Sequence, residues 1–206
     1  MPWPHERKSG MILSQPEIRA AVERGEIRFD PPLEERQWGE ASVDLRLGLK
    51  FTKLLGGSGT IFSMAQGIGS ISATGLYHEE IFDIKNKFGK RVTYVLDPGE
   101  FILALTHEHV WIPRHLIAMV EGRSTYARVG LSMHQTAPWI QPGWDGQITL
   151  EIRNGGPFRI ELTPIDDMPC QLTFFQLTSE LQEDAAYGSR ATDIFQNQDS
   201  ALPRKK

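Results

Sequence analysis

Cysteine is almost absent from this chain: Cys170 is the single one in 206 residues. An intrachain disulfide is therefore excluded, and so is a four-cysteine zinc site. A catalytic zinc of the His-x-Glu, Pro-Cys-x-x-Cys kind also needs two cysteines and is absent. No run of about 18 apolar residues occurs, so no membrane span is expected. The opening MPWPHERKSGMIL lacks the apolar core of a signal peptide, and a cytoplasmic protein is the default expectation. There is no basic excess either. The net charge of −4 argues against a general nucleic-acid surface. It does not argue against a small phosphorylated ligand, for which two or three local arginines suffice.

What is present suits one globular domain. The length allows a sizeable core, and 40% hydrophobic with 23% charged residues is ordinary for a soluble protein. Residues 1–10 read as a flexible leader, with Met11 able to serve as an internal start. Ser14 and Glu17 form an S-x-x-E capping box. Ile18, Ala21 and Val22 follow as an apolar stripe, and Gly25 is a stop. Residues 29–38 read as loop. Ala41–Leu47 alternates, with Val43, Leu45 and Leu47 on one face and Asp44 and Arg46 on the other. Residues 55–75 are rich in Gly, Ser and Ala and suit an irregular connection.

Short β-like runs then recur at Val92–Leu96, Phe101–Thr106, His109–Ile112, Leu116–Glu121, Gln147–Arg153, Phe158–Leu162 and Gln171–Leu177. Such repetition predicts a sandwich or barrel and not a parallel α/β fold. A short helix fits between Ser124 and Val129, closed by Gly130. The domain is expected over 11–183, followed by a polar tail over 184–206.

The chemistry concentrates between Glu121 and Asn154. In Glu121-Gly-Arg-Ser-Thr-Tyr-Ala-Arg, Ser124 can cap the short helix, with Arg123 beside it and Arg128 one turn on. Unpaired N–H groups at a helix start suit phosphate, yet a capped helix with solvated arginines explains the same residues. The stretch Met133 to Gly146 holds two prolines, two glycines and two tryptophans. It reads as a shaped ligand loop or as a buried β-arch. Gln147–Arg153 alternates, placing Glu151 with Gln147 and Thr149. Periodicity does not decide whether Glu151 is a solvated strand residue or a general base. His107-Glu-His109 looks metal-like but has no third ligand at a known spacing, and two surface histidines explain it better.

In order, these residues resemble the dCTP deaminase family of the dUTPase-like superfamily. Ser42-Val-Asp-Leu-Arg-Leu-Gly is similar to the family's strand after the first helix, and Pro98-Gly-Glu precedes a strand as in the family. Glu121 to Leu131 is similar to G-[RK]-S-S-x-[AG]-R-x-G-L. His134-Gln-Thr-Ala fits H-x-T-A, and Ile140 to Glu151 fits I-D-P-G-[WF]-x-G-x-I-T-L-E. Tyr187 and Gln196-Asn-Gln198 resemble a tail that closes over the nucleotide.

The resemblance implies a mainly β fold, a distorted β-barrel or jelly roll of the dUTPase-like type with a few short helices. It implies a homotrimer with sites between subunits, and hydrolytic deamination of dCTP to dUTP without catalytic zinc. Mg2+ is implied only as a companion of the triphosphate, and dTTP as an inhibitor. By the resemblance, Glu151 takes a proton from water attacking cytosine C4, Ser124 holds that water with backbone groups near Ala137, and Arg128 keeps Glu151 ionised. Arg123 and Thr125 hold phosphates, Thr136, Trp139, Ile140 and Gln141 line the nucleotide, and Tyr187 and Gln198 reach it from the tail.

Three departures from the pattern stand out. Gln141 replaces the acid that activates water for phosphate hydrolysis in dUTPases, Pro138-Trp139 sits where family branches differ, and Ile194 stands where a phosphate-binding lysine is expected. They keep alternatives open: a bifunctional deaminase–diphosphatase, a deaminase of altered specificity, or a non-catalytic nucleotide-binding homologue.

Overall fold

Ser14 opens the first regular element as its sequence predicts. Its N–H donates to Glu17 Oε2 at 2.9 Å, and helix α1 runs Gln15–Glu23 with Ile18 and Ala21 buried. The computed structural model describes residues 12–57 and 59–203. The leader 1–10, Met11 and the terminal Arg204-Lys-Lys lie outside the described residues.

In chain order the remaining elements are strands β1 (Arg28–Asp30), β2 (Val43–Leu45) and β3 (Leu47–Leu54), then helix α2 (Gly69–Thr74). Strands β4 (Tyr77–Ile81), β5 (Tyr94–Leu96), β6 (Phe101–Trp111) and β7 (Leu116–Gly122) follow. Helix α3 (Ser124–Ala127) comes next, then β8 (Leu131–Ser132), β9 (Trp139–Ile140), β10 (Asp145–Asn154), β11 (Ile160–Leu162) and β12 (Cys170–Gln176).

One six-stranded sheet runs β4-β3-β6-β10-β8, with β1 also paired to β6. A four-stranded sheet runs β2-β12-β7-β9, and β11-β5 form a third, two-stranded sheet. Leu150 and Ile152 of β10, Ala118 and Val120 of β7, and Leu172 and Phe174 of β12 join in one buried cluster between the larger sheets. The mainly β fold is as expected, in a layered, jelly-roll-like form. The sheets do not close into a continuous barrel.

Several elements differ from the sequence reading. The stretch read as loop at 29–38 begins with β1, which pairs with β6 through Phe29 opposite Val110. The two runs Phe101–Thr106 and His109–Ile112 are one strand. Its register against β10 shifts between Gln147 and Thr149, and Thr106 bridges the slip: Ile148 N–H donates to Thr106 Oγ1 at 2.9 Å, and that hydroxyl donates to Glu108 O at 2.8 Å. The irregular stretch 55–75 contains α2, which covers the outer side of β6. There Ile71, Leu103 and Leu105 bury Ala201 and Leu202 from the tail. That second layer explains why Phe-Ile-Leu-Ala-Leu is apolar without alternation.

Arg46 is a correction of the same kind. Alternation placed it outward, but it is only 5% exposed. Its Nε donates to Glu108 Oε1 at 2.7 Å and its N–H to Glu108 Oε2 at 2.9 Å, while Gln37 Nε2 donates to Oε1 at 2.9 Å. Glu34 meets the outer Nη1 at 2.5 Å. A buried charge needs partners of this sort, and they come from distant parts of the chain.

Candidate active site

β10 organises the site. It pairs with β6 along one edge. On the other edge, three separate segments take its backbone groups in turn. At its C-terminal end β8 pairs through Arg153 opposite Ser132. Beyond that, Glu151 N–H donates to Met133 O at 2.9 Å. Near its start the tail arrives, where Gln147 N–H donates to Gln198 O at 3.4 Å and Gln198 Nε2 donates to Gln147 O at 2.7 Å.

Glu151 therefore stands where a loop and the tail converge. Gln135 N–H donates to Glu151 Oε2 at 2.8 Å, and Gln135 Nε2 donates to Glu151 O at 3.1 Å. The carboxylate is fixed at the mouth of the Gln135–Trp139 loop, in which Thr136 and Ala137 are exposed. Trp139 is 48% exposed and meets Phe175 edge-on at 5.6 Å. Ile140 turns its side chain into the core and pairs with Ala118 on β7. Gln141 is exposed, and its carbonyl accepts Trp144 N–H at 3.1 Å in the turn that leads into β10. This segment is thus a crossing between two sheets, exposed on one side.

The tail brings two more of the expected residues here, Gln198 to the same strand and Tyr187 to the turn before it. Gln198 Nε2 also donates to Thr149 Oγ1 at 3.0 Å. Thr149 lies two residues before Glu151, on the same face of β10. Tyr187 packs its ring on Trp144 at 5.3 Å, and its N–H donates to Pro142 O at 2.8 Å. Burial pushes its phenol pKa up. A hollow of about 900 Å³ lies under the tail, bordered by Gly69, Arg190, Phe195, Gln198 and Leu202. Glu151 does not border it.

The arginine side is arranged differently from expectation. Arg123, not Ser124, is the N-cap residue of α3; Ser124 is the first helical residue, and no side chain caps the helix. The reason is local: Arg123 N–H is already drawn to Pro169 O at 3.0 Å, which ends β7 and sets the extended backbone a cap requires. The Arg123 guanidinium is held by Asp44 at 3.1 Å and by Met168 O at 3.0 Å. Burial pushes the Asp44 carboxyl up, and the Arg123 charge opposes it. Ser124, Thr125 and Arg128 are exposed. Among the described residues no ion pair or hydrogen bond joins Arg128, Ser124 or Arg123 to Glu151. Gly130 closes α3 with φ of +96°, and a Cβ there would lie 2.3 Å from Gly156 N. That close approach fixes the helix beside the turn after β10.

Sequence reasoning missed Gln135, which had appeared only as the variable residue of H-x-T-A. It missed Glu108 as well, seen only as the middle of a histidine pair. His107 and His109 do face outward together, with Glu108 buried between them. Burial lowers the His107 pKa.

A family model described as dCTP deaminase-like matches residues 12–177. The chain is 36% identical over 184 residues to a "dCTP deaminase, dUMP-forming" of Methanothermobacter thermautotrophicus, covering 87% of this chain and 86% of that protein. It is 34% identical over 198 residues to a "dCTP deaminase" of Rhodospirillum rubrum, covering 95% and 96%. Among solved structures, the 2'-deoxycytidine 5'-triphosphate deaminase of Agrobacterium tumefaciens shares the fold with a TM-score of 0.62 at 23% identity. That match covers 86% of this chain, which spans about half (51%) of the other chain's length.

Proposed function

The chain belongs to the dCTP deaminase-like family, and from that premise we propose that it is an enzyme that hydrolyses dCTP to dUTP and ammonia, with Glu151 as general base. The observation that carries the reading is the Glu151 carboxylate, held by Gln135 N–H at the mouth of an exposed loop and flanked on its strand by the tail residue Gln198.

Deamination replaces the 4-amino group of cytosine with oxygen. Water adds at C4, and the amine leaves after gaining a proton. Glu151 accepts the proton from the attacking water and returns it to the departing nitrogen. A positioned carboxylate supplies about 10²–10⁴-fold by such transfer. Ser124 and the backbone near Ala137 hold the water, and Arg128 keeps the carboxylate ionised. Arg123, Thr125, Tyr187 and Gln198 serve the phosphates, and Thr136, Trp139, Ile140 and Gln141 line the base and sugar. Mg2+ enters with the triphosphate as part of the substrate. The zinc-free reading rests on the sequence, whose one cysteine leaves no Pro-Cys-x-x-Cys pair.

Arg128 and Ser124 lie exposed and unjoined to Glu151 within one chain. This arrangement suits the homotrimer with sites between subunits that the resemblance implies, in which a neighbouring copy brings them to the base. Residues 184–203 of the same chain supply the closing tail.

A second reading has a specific basis, because the Methanothermobacter relative is named dUMP-forming. Here Gln141 stands where the resemblance expects an acid, and an amide cannot take a proton from water. The product assigned to this chain is therefore dUTP. Incubating the protein with dCTP while assaying ammonia and pyrophosphate together tests both readings. Ammonia with dUTP is expected. Pyrophosphate in step with ammonia would establish the bifunctional reaction, and tight nucleotide binding without either product would mark a non-catalytic homologue.

A further inference from the structure

We propose that His109 and Asp145 form a latch that anchors the tail through Asn197 and so sets Gln198 beside the strand of Glu151. The kinetic part of this inference rests on the deaminase reading; the structural part does not.

Asp145 opens β10 opposite Trp111. Its carboxylate meets His109 Nε2 at 2.5 Å. The imidazole cannot swing away freely, since it stacks on Trp111 at 4.1 Å with an interplanar angle of 22°. The Arg28 guanidinium covers the same indole at 4.8 Å. Strands β1 and β6 thus fix one side of Asp145.

The tail occupies the other side. Asn197 N–H donates to Asp145 O at 2.6 Å. With its amide turned as the surroundings favour, the Asn197 side-chain nitrogen lies 3.2 and 3.3 Å from the two Asp145 carboxylate oxygens. Asn197 adopts φ of +56°, a left-handed conformation that asparagine tolerates better than most residues. The bend presents the next residue, Gln198, to Gln147 and Thr149. A continuous chain of polar contacts therefore runs from His109 through Asp145, Asn197 and Gln198 to Thr149, two residues from the proposed base. Position 145 is the variable residue of the P-G-[WF]-x-G motif, so the latch is not among the roles the resemblance implies.

His109 and Asp145 act here as positioning residues. Bonds to a charged group are strong enough for about a ten-fold effect when one partner is removed. Hydrogen exchange is measured on the full, nucleotide-free chain, alongside kcat and KM for dCTP. In Asp145→Ala the amides of Asn197 and Gln198 should exchange about ten-fold faster. KM should rise by a similar factor and change more than kcat. Asp145→Asn, which keeps an acceptor for His109 and Asn197, should recover most of both. His109→Gln gives an independent variant should Asp145→Ala fail to fold. Unchanged exchange at Asn197 and Gln198 overturns the latch, and faster exchange with unaltered KM overturns its role in positioning. A wild-type protein that turns over no nucleotide sinks the deaminase reading instead, while the exchange result still decides the latch.

Discussion

Glu151→Gln preserves the size of the side chain and its hydrogen bond from Gln135 N–H, and removes only the base. Ammonia release should fall by at least about 10²-fold, while dCTP affinity measured by calorimetry stays near that of the parent. A variant that still turns over at the parental rate would remove Glu151 from the chemistry. Arg46 and Glu108 make a different test, of stability alone. Glu108 is fully buried and accepts from Arg46 twice and from Gln37. Arg46→Met strands that carboxylate and should cost about 3–5 kcal/mol in urea unfolding. The pair replacement Arg46→Met with Glu108→Leu should recover much of the loss, because no unpaired charge remains. His107 adds an acid-side term. Burial lowers its pKa in the folded chain, so the unfolded chain binds the proton first, and stability declines as pH falls below the ordinary histidine range. His107→Gln should narrow the drop in melting temperature between neutral and mildly acidic buffer.

Among the elements, β10 and the turn before it do most to build the site. That turn is the bed on which the tail lies. Gly143 has φ of +89°, and a Cβ there would sit 2.9 Å from Ala186 Cβ and 3.1 Å from Tyr187 N. Gly143→Ala should therefore cost about 1–2 kcal/mol in backbone strain and also displace Tyr187. Limited proteolysis should then cut the tail sooner than it cuts the parent, and an unaltered cleavage rate would show that the tail is held elsewhere. The alternation of Gln147–Arg153 was legible because the buried residues of β10 face a core on one side only. β6 was harder to read. Its first half is buried on both faces and its register slips at Thr106, so it presented as two strands with a gap. The strands β1, β8 and β9 left no periodic signal, since two or three residues cannot show one.

For the whole molecule, the question is whether Arg128 and Glu151, which no hydrogen bond or ion pair joins among the described residues, act from one chain or from two. Chains carrying Arg128→Ala and chains carrying Glu151→Gln should each be inactive. Co-expressed at equal amounts, they should regain activity, with about a quarter of the sites intact in a symmetric ring that shares its sites. Failure to regain any would mean that both residues serve from one chain. Two large antiparallel sheets enclose the core, and α2 with the end of the tail forms a smaller one on the outer face of β6. The tail is consequently part of the folded body, with Leu202 only 3% exposed. The sequence read it only as a polar tail, because two buried apolar residues are too few to register as a pattern.

By itself the sequence determined the family and the position of the proposed base. Ordered motifs and a clean period of two are local properties, and they survive without knowledge of contacts. It also located the Pro/Gly/Trp crossing and the tail residues Tyr187 and Gln198. Tertiary structure alone decided which groups meet. It showed that Arg46 is buried against Glu108, that Arg123 is held by Asp44, that Gln135 holds Glu151, and that Asn197 ties the tail to Asp145. Each of these contacts joins residues that pairing and packing bring together across the fold, where periodicity carries no information. The segment Glu121–Asn154 therefore supplied the list of candidates, and the sheets determined that within one chain Glu151 meets the loop through Gln135, with no hydrogen bond or ion pair to Arg123 or Arg128 among the described residues.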